Sequence, residues 1–189
     1  MLRNELKIAI RFTLLTALLL GILYPLAVTA IGRFAFRHQA DGELIFTNGQ
    51  VIGSRLIGQS FAGDQYFHGR PSAAGNGYDA TSSSPSNYAA SNQKLISRID
   101  GDVAHYAAEN KNQPVPIDLV TASGSGLDPD ISPAAAMFQA ARVADARHLP
   151  LATVSALVER HVQPRQFGFL GEERVNVLLL NLDLDRLGR

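Results

Sequence analysis

The sequence predicts a single N-terminal transmembrane α-helix followed by one small α/β (α+β) soluble domain. Three observations predict it. Residues 12–32, "FTLLTALLLGILYPLAVTAIG", form a run of 21 residues without a charge. The chain is 189 residues long, so about 150 residues remain beyond that run, the size of one ordinary domain. In that remainder, short β-type runs and longer runs of three- and four-residue spacing follow one another as strands, helix, strand, helix, helix, strand.

The expected organisation is a basic N-terminal flank over 1–11, a transmembrane helix over 12–33 and a soluble α/β domain over 34–189. At roughly 1.5 Å per residue the uncharged run spans about 32 Å, which matches a hydrocarbon core of about 30 Å. The rival reading is a cleavable signal peptide: the flank is basic and Val28-Thr29-Ala30 has the small residues of a cleavage site, although the apolar run is longer than such signals usually are. Arg3, Lys7 and Arg11 precede the run, and Arg33 and Arg37 follow it. The positive-inside rule then puts the N-terminus in the cytoplasm and the soluble domain outside it, by a small margin of charge.

Thr13, Ala17, Gly21, Pro25 and Thr29 recur every four residues along this helix. Small side chains let a second backbone approach in lipid, so this ridge is expected to face a partner helix while the other faces meet membrane lipid. Pro25 has no N–H, and the Gly21 carbonyl needs another donor. The plain alternative is that Gly and Pro are simply common in membrane helices.

The chain has no cysteine, which excludes disulfides, thiolate catalysis and Cys-based zinc sites. Residues 34–189 carry 13 basic and 16 acidic side chains, a balance that argues against a nucleic-acid partner.

Along the soluble part, "ELIF" and "QVIG" flank Asn48-Gly49, a hairpin signal. Phe61, Tyr66, Phe67 and His68 are expected to pack rather than react. Residues 70–93 hold six serines, two glycines and two prolines; so long an irregular stretch is either functional or a mobile surface loop. A helix is expected from Asn92 to Asn110, with Leu95, Ile96, Ile99, Val103, Tyr106 and Ala107 inward and Arg98, Asp102 and Glu109 toward water. Pro114 and Pro116 end it. Ile117–Ala122 reads as a buried strand. Ser132 is a natural N-cap with Pro133 at the first helical position, so a helix should run to about Arg147. Its inward side would hold Ala134, Met137, Phe138, Ala141 and Ala144, with Gln139 and Arg147 outward and Asp145 near the rim. A second helix over about 152–162 would bury Val154, Leu157 and Val158. Val175–Leu180 reads as a last strand.

The stretch "DLVTASGSGLDPDISPAAA" at 118–136 has the outline of a phosphate loop but not its chemistry. A Walker loop needs a lysine, and the soluble part has only Lys94 and Lys111. Asp128 and Asp130 would repel a phosphate and suit the positive end of the following helix, while Gly124 and Gly126 allow tight turns. A cation site is conceivable, but calcium usually takes six or more oxygens. His38, His68, His105, His148 and His161 have no metal-ligand spacing, so no bound metal is expected. No G-x-S-x-G elbow is present. A Ser-His-Asp triad can also assemble from distant residues; with every motif absent, a non-catalytic role is the expectation.

The blocks "YPL", "GSRLIGQSF", "YFHGRPSA", "DLVTASGSGLDPDIS", "RVADAR" and "VNVLLLNLDLD" occur in order from Tyr24 to Asp185. Together they resemble the C subunit of the bacterial Kdp potassium-transporting ATPase. The resemblance implies a single-pass subunit in the bacterial inner membrane, within a complex of a channel-like potassium-binding subunit and a P-type ATPase subunit. Potassium is then the ion that the complex transports. The phosphorylated subunit of that family carries Asp-Lys-Thr-Gly, which is absent here. The resemblance also implies a catalytic chaperone that raises the ATP affinity of the ATPase subunit and an assembly factor, with ATP as an associated ligand, directly or through that subunit. Family members often show Ser-Gly-Gly-Ser-Asn, likened to a nucleotide signature. Here Ser83-Ser84-Pro85-Ser86-Asn87 stand instead, and Pro85 removes a backbone donor.

The expected docking or nucleotide-proximal surface therefore comprises Ser83, Ser84, Ser86 and Asn87 in one loop and Ser123, Gly124, Ser125, Gly126 and Asp128 in another. Two alternatives stand beside this reading. One is a secreted hydrolase or binding protein freed from residues 1–30. The other is a reversed topology with a cytoplasmic domain that contacts ATP.

Overall fold

A computed structural model describes residues 2–110 and 113–187 of the chain; Lys111 lies outside the described residues. The chain forms two compact units, one ending at Glu43 and the other beginning at Leu44.

In the first unit, α1 (Leu2–Leu18), a π turn (Leu19–Leu23) and α2 (Tyr24–Ala35) run on as one helix of 34 residues with a mean hydropathy of 2.2 in its most apolar stretch. None of the residues in that stretch is buried, as expected of a helix whose solvent is lipid. The π turn has a local cause. Pro25 lacks an N–H and its ring crowds the carbonyl four residues back, that of Gly21. The turn just before it widens, and the Tyr24 N–H reaches back five residues to the Leu19 carbonyl. A short α3 (Arg37–Ala40) follows.

The second unit opens with a hairpin of β1 (Leu44–Thr47) and β2 (Gln50–Ser54). Asn48 and Gly49 take φ of +51° and +78°, the doubly positive turn that Asn-Gly predicts. A long irregular segment leads to α4 (Gln93–Glu109), capped by the Asn92 side chain on the Lys94 N–H at 2.9 Å. Then come β3 (Asp130–Ile131), α5 (Pro133–Arg147), α6 (Leu151–His161), β4 (Val162–Gln163), β5 (Arg174–Asn176) and α7 (Val177–Leu187). The sheet is antiparallel in the order β3-β5-β4. Its strands are only two or three residues long, so the core is mostly helical. Phe67, Phe138, Val143, Val154, Val158, Val175, Leu180 and Leu184 are all buried in it.

Ser132 caps α5 by accepting from the Ala135 N–H at 3.0 Å, with Pro133 next. His148 ends that helix in the left-handed region, and α6 buries Val154, Leu157 and Val158. These match the expectations from sequence. Four others need correction.

Residues 117–122 are not a strand. Ile117–Leu119 form a 3-10 turn, because the Asp118 carboxylate accepts from both the N–H and the hydroxyl of Ser132 at 2.7 and 3.1 Å. That bond pulls the backbone round while Leu119 and Val120 stay buried.

The last strand stops at Asn176, whose Oδ1 accepts from the Leu179 N–H at 3.1 Å and starts α7. Val177, Leu180, Asn181 and Leu184 then face inward at helical spacing.

The buried face of α5 is Ala135, Ala136, Phe138, Gln139, Ala140, Val143 and Ala144, about one position round from the expected set; Ala134 and Ala141 are exposed. Gln139 causes this. It is fully buried, accepts from the His68 N–H at 2.8 Å and donates to the His68 carbonyl at 3.1 Å. Asn181 does the same for Phe67, at 2.9 Å in both directions. The backbone N–H and carbonyl groups of residues 67–68 are thus all paired with two amide side chains.

The fourth concerns α4. Only Tyr106 of its apolar set is buried, and Glu109 is drawn inward to Arg142 at 2.8 Å, each 11% exposed. Arg142 also donates to the carbonyls of Asp64 and Tyr66 at 2.6 and 3.0 Å, tying α4, α5 and the aromatic segment together.

Candidate functional site

In the first unit, Thr13, Ala17, Gly21, Pro25 and Thr29 are the candidates. Residues four apart in an α-helix drift about 40° per step, so five of them would wind through about 160°. The π turn inserts one extra residue between Ala17 and Pro25, which sets the later residues back by about 100°. The net drift is then about 60°, and the small residues return to nearly one face. A Cβ at Gly21 would meet nothing within 4 Å, so this face is open at its narrowest point. The Thr16 hydroxyl is satisfied within the helix by the Phe12 carbonyl at 2.9 Å.

In the second unit, the two candidate loops meet. The Ser83 hydroxyl donates to the Ser125 carbonyl at 2.9 Å, and the Ser72 hydroxyl donates to the Gly126 carbonyl at 2.6 Å. Gly126 has φ +68°, and a Cβ there would lie 2.7 Å from both the Ala74 nitrogen and the Ser84 carbonyl oxygen. Tyr78 holds the far side: its N–H donates to the Ser72 hydroxyl at 2.7 Å and its own hydroxyl to the Arg70 carbonyl at 2.6 Å. Burial, with the Asp128 charge adding to it, pushes the Tyr78 phenol up to about 12. Gly58 closes the base, its N–H on the Leu127 carbonyl at 2.9 Å; a side chain there would collide with the Asp128 carbonyl.

Of the residues expected in this surface, Ser83, Gly124, Ser125 and Asn87 are exposed, Ser84, Ser86 and Asp128 are half-buried, and Ser123 and Gly126 are buried. The expectation from sequence put Asp128 and Asp130 at the start of a helix dipole. In the fold they are held instead by arginines: Arg70 on Asp128 at 2.9 Å and Arg174 on Asp130 at 3.1 Å. Asn176 adds a bond to Asp130 at 3.1 Å. Burial raises the Asp130 carboxyl, and Asn176 and Arg174 partly offset this. These partners, with Tyr78, Gly58 and Ser72, were not singled out from sequence; they are remote along the chain.

An open cleft beside the loops is lined by Arg70, Asp118, Asp128, Asp130, Glu172, Glu173 and Arg174, with Ile117 at its edge. Both arginines are already paired, and carboxylates outnumber them. The Ser84 hydroxyl is turned to the Pro85 carbonyl at 2.9 Å. These residues do not fit a triphosphate: carboxylates outnumber the paired arginines in the cleft, and Pro85 takes one backbone donor out of the loop. Among the described residues no group of three or more His, Asp or Glu could hold a metal ion.

Comparison with known proteins closes the question of ancestry. A family profile described as "K+-transporting ATPase, c chain" matches residues 6–186. The "Potassium-transporting ATPase KdpC subunit" of Acidobacterium capsulatum is 55% identical over 184 residues, covering 97% of this chain and 99% of that protein. The protein of the same description from Caulobacter vibrioides is 56% identical over 172 residues, covering 90% and 87%. That from Mycobacterium tuberculosis is 51% identical over 189 residues, covering 98% and 100%.

Proposed function

Because this chain belongs to the K+-transporting ATPase c-chain (KdpC) family, we propose that it is the membrane-anchored, non-catalytic subunit that assembles and stabilises that pump. Its partners are a channel-like potassium-binding subunit and a P-type ATPase subunit. The helix over 12–33 sits in the bacterial inner membrane with its N-terminus in the cytoplasm. The face of Thr13, Ala17, Gly21, Pro25 and Thr29 packs on a partner helix. The unit beyond it stands outside the cytoplasm and docks at the potassium-entry side through the joined loops 70–93 and 123–130.

The observation that carries this reading is an apolar helix with an open small-residue face inside a family match that runs from residue 6 to residue 186. The family match leaves the secreted-hydrolase alternative without support.

The chain raises the ATP affinity of the ATPase subunit from a distance, by favouring one assembled conformation of the complex. The paired arginines and the acidic cleft support an indirect role. The test is the purified complex with a photoreactive ATP analogue. Labelling confined to the ATPase subunit, with a raised KM for ATP when Gly21→Leu weakens assembly, is the expected outcome. Labelling of this chain at Ser83–Asn87 would overturn the indirect role.

A further inference from the structure

The loop between β4 and β5, residues 164–173, is closed by its own bonds. Gln166 and Leu170 each donate a backbone N–H to the other's carbonyl at 2.9 Å, and the Gly168 N–H donates to the Arg165 carbonyl at 3.1 Å. Arg165 and Glu172 form an ion pair across the base. On this small fastened turn Phe167 is 87% exposed and Phe169 71% exposed. Phe167 also holds φ at +54°, a left-handed backbone that a bulky side chain adopts only against strain.

Two phenylalanines held out in water contribute almost no burial to this fold; they gain only where something covers them. We propose that this turn is an anchor: Phe167 and Phe169 insert into an apolar pocket with a basic rim on another chain of the same ATPase. The proposal rests on the reading of this chain as a subunit. The occupant follows from charge and from stiffness. Glu172 and Glu173 stand at the base of the turn and are exposed, and Arg165 pairs with Glu172 alone. The remaining negative charge is repelled by an anionic lipid surface and attracted by a basic rim. A second copy of this chain would bring like charges together across a two-fold axis. A turn already fastened loses little freedom on docking, and buried aromatics are what dominate such contacts.

The test uses the full chain in cells that make the whole ATPase. Phe167 is replaced by the photocrosslinker p-benzoylphenylalanine, with Leu151, 51% exposed at the start of α6, as the comparison site. Crosslinks from position 167 to an apolar pocket of another ATPase chain, absent from position 151, are expected. The double variant Phe167→Ser/Phe169→Ser should lower recovery of the other chains by at least about tenfold, with an unchanged melting temperature. If that variant melts lower, the crosslink alone decides, because the photocrosslinker keeps a phenyl ring in place. Crosslinks to lipid, to a second copy or to nothing, while the wild-type complex purifies intact, would overturn the anchor alone. Failure of the wild-type chain to purify with any other ATPase chain would overturn the subunit reading and the anchor with it.

Discussion

Gly126 lies against Ala74: a Cβ on the glycine would sit 2.7 Å from the Ala74 backbone nitrogen, and its φ is +68°. The two loops read as docking surfaces are therefore one structure, closed where only a glycine fits. Gly126→Ala combines a left-handed alanine with a backbone collision and is expected to cost about 2–4 kcal/mol. Gly124, two residues away, has open space and no positive φ, so Gly124→Ala should stay within about 0.5 kcal/mol. Thermal unfolding of the full chain in detergent checks the contrast.

Asn181→Leu should be among the most damaging core changes. It strips the N–H and the carbonyl of buried Phe67 of their partners, a loss of about 2–4 kcal/mol. Gln139→Leu removes the matching pair at His68. Because both amides hold the same two consecutive residues, the double variant should cost less than the two single ones together, which a denaturant series would read out.

Tyr78 should titrate late. Its phenol is held near 12 by burial and then by Asp128, while an unfolded tyrosine ionises near 10. Between those values the unfolded chain has lost a proton that the folded chain keeps, so stability falls as pH rises from about 10 to about 12. Phenolate absorbance should show late ionisation that Tyr78→Phe diminishes, the rest coming from Tyr106, which burial also holds up. An unchanged late step in that variant would assign it elsewhere.

Gly21→Leu should release the chain from the complex while leaving its own fold intact. The site is open in this chain, so the leucine meets only a partner helix. Recovery of the other chains should drop at least about tenfold, equivalent to about 1.4 kcal/mol. Undiminished co-purification would remove the ridge from the account.

The features legible in the sequence are those written in neighbouring residues. The uncharged run, the Asn48-Gly49 hairpin and the Ser132-Pro133 helix start each depend on a few adjacent side chains. What was hidden depends on distant ones. Gln139 has the chemistry of a surface residue, yet its amide pairs with the backbone of His68, 71 residues away. The fit of Gly126 is set by Ser72 and Ala74, the former 54 residues away. The tail was ambiguous for another reason. In "VNVLLLNLDLD" leucine alternates with polar residues, as a strand would, yet Val177, Leu180 and Leu184 also match a helix, and the Asn176 cap decides between them. The four-residue spacing of the small residues is plain in the sequence, but the π turn that gathers them toward one face comes from the conflict between Pro25 and the turn before it.

The side of the membrane on which the second unit stands tests the account most directly. The chain has no cysteine of its own, and Ser83 is exposed. Ser83→Cys in the assembled complex should react with a membrane-impermeant maleimide in intact spheroplasts, at the same rate before and after lysis. A cysteine that reacts only once the cells are broken would put the loops in the cytoplasm beside ATP and contradict the account.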